Sequence, residues 1–221
     1  MDLAHVVMPH RVVELRQTIK NKIVYLSIKR IIDIFSSLIL IVIFLPLMLI
    51  VYLTIKLTSS GPAIFKQERL GLLGKPFTIY KFRSMYYDEK NDLEYFIKFH
   101  RGTFTKSKDD PRLTPFGKYI RKTSIDELPQ LFNILIGDMS FVGPRPVLDF
   151  QITAYPYLHE LRNVVKPGLT GYWQIKNRRN GSTIFDMIDY DLEYINNLSF
   201  YTDFKIILLT IPSVLKCEGA V

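Results

Sequence analysis

Between Ile34 and Ile55 the chain runs for about 22 residues without a charge. At 1.5 Å per residue, a helix of that length is long enough to cross the hydrocarbon core of a bilayer. A chain with such a stretch is embedded in a membrane, and two observations bear on how. Pro46 stands mid-stretch, where it removes a backbone donor and favours a kink. Lys29 and Arg30 precede the stretch while Lys56, Lys66 and Arg69 follow it, whereas a true span is expected to keep its cations on one side. Matching flanks and a central proline fit a re-entrant helix-break-helix with both ends on the cytoplasmic side. The residues by themselves leave a proline-kinked span open as well. Asp33, just inside the boundary, is expected to pair with Lys29 or Arg30, which would lessen its burial cost.

The remainder of the 221 residues suits one modest domain, and a hydrophobic content of 48% supplies a core. A formal charge of +8 favours anionic partners: lipid, a phosphorylated substrate or nucleic acid. No nucleic-acid-binding motif is present, and the membrane stretch is hard to reconcile with that class. No P-loop or dinucleotide glycine fingerprint is present either, which sets aside kinases and dehydrogenases. A single cysteine, Cys217, offers neither an internal disulfide nor a zinc set.

The pattern divides the chain into a basic arm at residues 1–28, a membrane segment at 29–57 broken at Pro46, and a cytoplasmic domain at 58–221. The arm reads equally as an amphipathic helix on lipid or as a frayed tail. Ser59 to Pro62 turn the chain out of the membrane. Ala63–Gln67 and Phe77–Phe82 are short β-prone runs joined by a glycine-containing loop, a hairpin that would deliver Lys81 and Arg83. Residues 87–112 read as a charged surface excursion, in which Asp109 and Asp110 initiate a turn before Pro111 rather than bind a metal. Phe116, Tyr119 and Ile120 give a short apolar face among Lys118, Arg121 and Lys122, a helix suited to a lipid surface. Residues 159–165, including His159, are expected to be helical, and Pro167–Gly171 to be a turn. Ile184, Ile188, Leu192 and Ile195 form a further helical stripe with Asp186, Asp189 and Glu193 outward. Phe204–Leu215 is apolar but too short to span and holds Pro212, so it suits an interfacial helix. The fold class is therefore mainly α with a small β-hairpin (α+β), on a membrane-embedded chain with interfacial amphipathic helices.

The densest chemistry lies from Arg121 to Pro146, RKTSIDELPQLFNILIGDMSFVGPRP. Ile125, Leu128, Leu131, Phe132 and Leu135 recur at helical spacing, and Gly137 stops the helix. Ser124 and Glu127 fit a capping box. Pro129 leaves the helix start open, at Leu128 or before it. Asp126, Gln130 and Asn133 fall together on the polar arc, with Glu127 at its edge. Arg121 lies just upstream, and Arg145 is clamped between Pro144 and Pro146, a rigid guanidinium suited to phosphate.

With KFRSM at Lys81–Met85, DPRLTPFGKYIR at Asp110–Arg121 and PGLTGYWQ at Pro167–Gln174, this stretch resembles the bacterial sugar transferases. More specifically it is similar to the monotopic polyprenyl-phosphate phosphoglycosyl transferases that start capsule, exopolysaccharide, O-antigen or N-glycan assembly, over about Lys29 to Leu215. The resemblance implies transfer of a sugar-1-phosphate from a UDP-sugar to polyprenyl (undecaprenyl) phosphate, with release of UMP, at the cytoplasmic face of the bacterial inner membrane. It implies Asp126 as nucleophile through an aspartyl-phosphosugar intermediate, Glu127 as ligand to Mg²⁺, and Lys81, Arg83, Arg121, Gln130 and Arg145 as substrate or phosphate contacts. Arg178 matches the family arginine of a loop where Asn177 replaces the usual glycine. Another departure is Leu45 before Pro46, where relatives often carry Ser. The resemblance also implies a monotopic membrane protein with a re-entrant helix, the minimal form of the family and anionic lipid as a partner. It leaves the sugar and any homo-oligomer unspecified. The rival reading is a catalytically inactive, membrane-anchored relative acting as an interaction protein.

Overall fold

A computed structural model describes residues 3–86, 111–147, 160–176 and 184–215. The expectations for Asp109, Asp110, His159, Asn177, Arg178 and Cys217 lie outside the described residues. Helix α1 (Leu3–Lys20) leads into α2 (Ile23–Thr58), a helix of 36 residues. A hairpin follows, β1 (Ile64–Leu70) and β2 (Pro76–Phe82), then α3 (Pro115–Lys122), a 3₁₀ turn at Ile125–Glu127 and α4 (Gln130–Ile136). Strands β3 (Ser140–Val142) and β4 (Gly168–Thr170) precede α5 (Tyr172–Lys176), α6 (Ile184–Asn196) and α7 (Phe200–Leu215). The described residues are thus mostly helical with two small two-stranded sheets, β1–β2 antiparallel and β3–β4 parallel.

Helix α2 is long and apolar enough to cross a membrane, and at 1.5 Å per residue it measures about 54 Å. Pro46 lies inside it, and the helix continues on both sides. Its buried positions, Asp33, Ser37, Ile41, Met48, Val51 and Ile55, recur every three, four or seven residues and so form one stripe. Ile41 packs with Ile79, Leu131, Ile134 and Met139, whereas Met48, Val51 and Ile55 pack with Ala63, Phe82 and Ile120. Phe35, Ile39, Val42, Ile43, Leu49, Ile50, Leu53 and Leu57 remain exposed on the other side. Helix α7 shows the same division: Ile206 is wholly buried, while Tyr201, Phe204, Leu208 and Ile211 are exposed.

The first turns of α2 are tied to the domain by polar contacts. Lys22 donates to the Leu198 carbonyl, and Lys29 donates to Asp203 at 2.5 Å. Arg30 donates to the Ile134 and Leu135 carbonyls at 2.5 and 2.7 Å, capping the C-terminus of α4. Asp33 does not take either flanking cation as its hydrogen-bond partner. Its Oδ1 accepts from the Phe141 amide at 3.2 Å, because Lys29 and Arg30 are already engaged elsewhere. The basic arm is helical, and Val12 and Leu15 enter the core beside Leu161 and Ile206.

The hairpin forms as its β-prone runs require, pairing Phe65 with Lys81 and Arg69 with Phe77. Cross-strand partners share a face, so alternation places Phe65, Gln67 and Arg69 on the Lys81 side. Asn133 is fully buried and binds this hairpin: Tyr80 N–H donates to its Oδ1 at 3.0 Å, and its Nδ2 donates to the Thr78 carbonyl at 2.7 Å. Asn133 is therefore a structural clasp between α4 and β2. Asn133→Ala leaves both backbone groups of β2 without this partner and is expected to lower stability by about 2–4 kcal/mol, read from the thermal or denaturant transition in detergent.

Candidate active site

The two carboxylates are presented by a backbone irregularity. Ser124 sits in the left-handed region at φ 58°, a conformation unusual for a residue with a Cβ, which costs about 1 kcal/mol or more. It turns the chain from α3 into the 3₁₀ turn that carries Asp126 and Glu127. The expected capping box does not form: Ser124 caps nothing with its side chain, and α4 starts only at Gln130, after Pro129. Glu127 instead reaches across to β2, where Lys81 Nζ donates to its Oε1 at 2.9 Å, with Arg145 Nη2 at 3.9 Å from the same oxygen. Asp126 is 4% exposed. Burial lowers the Lys81 pKa from its ordinary value and Arg145 adds to the lowering, while Glu127 and, more weakly, Asp126 oppose it.

Arg145 is held from three directions. Strand β3 pairs with β4, a contact between segments 28 residues apart in register, Ser140 with Gly168. The expected turn at Pro167–Gly171 thus contains a strand. Ladder bonds continue into the proline loop, where Gly168 N–H donates to the Pro144 carbonyl and Gly143 N–H to the Thr170 carbonyl, both at 2.9 Å. The two backbones are so close that a Cβ on Gly168 would stand 2.1 Å from Gly143 N. The second hold is Arg162, which donates to the Arg145 carbonyl at 2.6 Å and to Asp191 at 2.6 and 2.9 Å. Both members of that ion pair are buried, and burial pushes Asp191 up to about 6 against the pull of Arg162. The third is Trp173, whose ring lies 5.8 Å from the Arg145 guanidinium carbon.

Lys81, Asp126, Glu127 and Arg145 are therefore brought together, and other expected residues are placed differently. Arg83 is 5% exposed and donates to the Pro62 carbonyl at 2.6 Å, to the Ser59 carbonyl at 3.2 Å and to Ser59 Oγ at 3.0 Å, bracing the exit of α2. Arg121 donates from Nε to Ser84 Oγ at 2.8 Å. Gln130 is 3% exposed at the start of α4, and its Nε2 finds no acceptor among the described residues. Arg69, Arg162, Asp191 and Trp173 were missed by sequence reasoning as parts of this neighbourhood. Strand alternation carried the signal for Arg69; the others depend on contacts between distant segments.

A cavity of about 400 Å³ opens beside the carboxylate turn. Leu40 and Phe44 of α2, Leu131 of α4 and Ile207, Ile211 and Val214 of α7 line its apolar walls, and Ser124, Glu127, Arg145 and Gln174 its polar part. Among the described residues no three Cys, His, Asp or Glu side chains gather as a metal cage. Two neighbouring carboxylates nevertheless suit Mg²⁺, which takes one or two of them and completes its octahedron with water and substrate phosphates.

Residues 24–217 match the sequence profile of the family described as bacterial sugar transferase. The chain belongs to that family. It is 46% identical over 164 residues to the galactosyl transferase CpsE of Streptococcus agalactiae serotype III, covering 73% of this chain and 36% of the relative. It is 40% identical over 200 residues to the undecaprenyl-phosphate galactose phosphotransferase of Salmonella typhimurium, covering 87% of this chain and 41% of the relative. With the UDP-glucose:undecaprenyl-phosphate glucose-1-phosphate transferase of Caulobacter vibrioides the identity is again 40% over 200 residues, covering 87% and 71%. The chain thus spans well under half the length of the first two.

In this chain the single tryptophan, Trp173, reports on the loop that holds Arg145. Gly168→Ala forces β3 and β4 apart and is expected to cost about 1–3 kcal/mol of stability and to move Trp173 emission to longer wavelength. An unchanged spectrum and melting curve would show that the close backbone approach is dispensable.

Proposed function

We propose that the chain transfers a sugar-1-phosphate from a UDP-sugar to a polyprenyl phosphate at the cytoplasmic surface of the bacterial inner membrane. The observation that carries this reading is the cavity: its walls come from α2 and α7, both exposing apolar outer faces, and its polar part includes Glu127 on the carboxylate turn and Arg145 in the proline loop. An apolar chain entering from lipid would fill such a cavity and present its phosphate to the cluster. A soluble nucleotide sugar would approach from the water side. The names of the relatives support the same pair of substrates.

The stripe on α2 bears on the membrane arrangement. Helix α2 meets the domain from Lys29 to Ile55, so a straight crossing would carry the domain into the bilayer with it. A helix that enters one leaflet and returns, with its outer face in lipid, keeps those contacts and leaves the domain at the headgroup level.

In the chemistry proposed, a carboxylate oxygen of Asp126 attacks the β-phosphorus of the UDP-sugar. The bond from that phosphorus to the bridging oxygen breaks, and UMP leaves with the electron pair. An aspartyl phosphosugar remains. The phosphate oxygen of polyprenyl phosphate then attacks the same phosphorus, releasing the Asp126 carboxylate and giving polyprenyl-diphosphate-sugar. Lys81 and Arg145, held against Glu127, offset the charge that gathers on the phosphoryl oxygens. Glu127, with Asp126 beside it, would hold Mg²⁺, which supplies Lewis-acid neutralisation of phosphate charge when bound. Splitting the transfer lets two mutually repelling anions occupy the site in turn.

The test is UMP release from a panel of UDP-sugars with undecaprenyl phosphate and Mg²⁺ in detergent or nanodiscs. Asp126→Asn is expected to reduce release by about 1000-fold or more, because the nucleophile is lost without a change of shape. Chelation by EDTA is expected to stop turnover, and added Mg²⁺ to restore it. Near-normal transfer by Asp126→Asn would sink the covalent scheme. Silence across the panel with folded protein would favour the non-enzymatic interaction protein.

A further inference from the structure

Arg69 stands in the flank of the membrane stretch in sequence but joins the active-site cluster in space. It lies on the Lys81 face of the hairpin, donates to the Pro146 carbonyl at 3.2 Å and to Gln67 Oε1 at 2.6 Å. These bonds aim its guanidinium along the proline loop. Its Nε is sealed from solvent and finds no acceptor among the described residues. Burial and then the neighbouring Arg145 pull its pKa down to about 9, which leaves it charged at pH 7, and Glu127 pulls the other way. Lys81 in turn feels both Arg145 and Arg69.

Among the described residues three cations, Arg69, Lys81 and Arg145, thus gather with the two carboxylates Asp126 and Glu127. Glu127 already meets two of the three. A guanidinium needed only to brace Pro146 would not have to be placed beside two other cations with its own Nε stranded. An anion between them would relieve the repulsion, and the half-buried guanidinium keeps further Nη donors for it. Position decides which anion. Glu127 and Arg145 border the apolar cavity, whereas Arg69 is absent from its lining. Arg69 joins the cluster through the hairpin and the Pro146 carbonyl rather than through the cavity wall, so the anion assigned to it is the one that does not enter by the cavity, the nucleotide sugar.

We propose that Arg69 is a donor-side ligand of the active site, holding the α-phosphate of the nucleotide sugar and so the UMP leaving group. This rests on the two-step transfer described above. As the bridging P–O bond breaks, the electron pair and its charge pass to the UMP phosphate, where a fixed guanidinium stabilises them. Polyprenyl phosphate, arriving after UMP has left, does not need Arg69.

Arg69→Met and Arg69→Lys in the full chain separate the roles. UMP alone is expected to raise the melting temperature of the wild type, and Arg69→Met to lose that shift. Arg69→Lys keeps charge and stem but loses the fork, and is expected to bind UMP about 10-fold more weakly while melting like the wild type without ligand. With UDP-sugar and no acceptor, the burst of UMP should slow by about 100-fold in Arg69→Met, while the KM for polyprenyl phosphate stays within about 3-fold in Arg69→Lys. Unchanged UMP affinity in both variants, or a defect confined to the acceptor KM, overturns the proposal. A wild type that binds UMP but gives no burst would instead overturn the covalent first step, leaving the UMP-binding comparison to judge Arg69.

Discussion

Lys29, Arg30 and Asp33 each place a charge near the start of a long apolar helix, and each is bonded to a different part of the domain: Asp203 on α7, the C-terminal carbonyls of α4, and the Phe141 amide on β3. Apolar packing alone would orient α2 weakly, because in a membrane its aliphatic side chains lose little by facing lipid instead of protein. Unpaired charges and unsatisfied backbone groups near the hydrocarbon are costly by comparison. These polar links therefore decide which side of α2 faces inward. Ile41, Met48, Val51 and Ile55 follow on the same stripe.

The orientation of α2 in turn sets the site. Its inward stripe supports the hairpin through Phe82 and Ala63 and α4 through Leu131 and Ile134, and these elements carry Lys81 and the carboxylate turn. Arg30 caps the far end of α4, where Gly137 at φ 102° lets the chain reverse toward β3. From β3 the chain enters the proline loop with Arg145. One side of α2 is thus connected to every charged group in the cluster, and the other side is left to lipid.

The cluster itself is a balance of like and unlike charges in a poorly hydrated place. Glu127 compensates Lys81 and Arg145, and the fully buried pair Arg162–Asp191 holds the Arg145 backbone without adding net charge. Such a pair is weak evidence for stability, since desolvation offsets its attraction. Its geometric effect is plainer: the bond from Arg162 to the Arg145 carbonyl fixes one residue of a loop whose flanking prolines already limit it.

Local patterns were enough to indicate the long apolar helix, the hairpin, the glycine stop at Gly137 and the apolar face of α7, each from periodicity or turn chemistry over a short span. The association of Asp126, Glu127, Lys81 and Arg145 came from the family resemblance, because Lys81 and the carboxylates lie on distant segments. What the sequence could not assign was the use of each polar group, because that depends on partners far along the chain. Arg83 lies two residues from Lys81, yet it braces the turn after α2. Asn133 shares a helical arc with Gln130 but clasps β2. Pro167–Gly171 reads as a turn until Ser140 and Val142 pair with it. The sequence by itself determined which segments are apolar and which carry charge, since those are properties of side chains in order. Only the tertiary structure decided which charges are satisfied by the fold and which face a ligand, since a hydrogen bond is a relation between positions that the chain brings together.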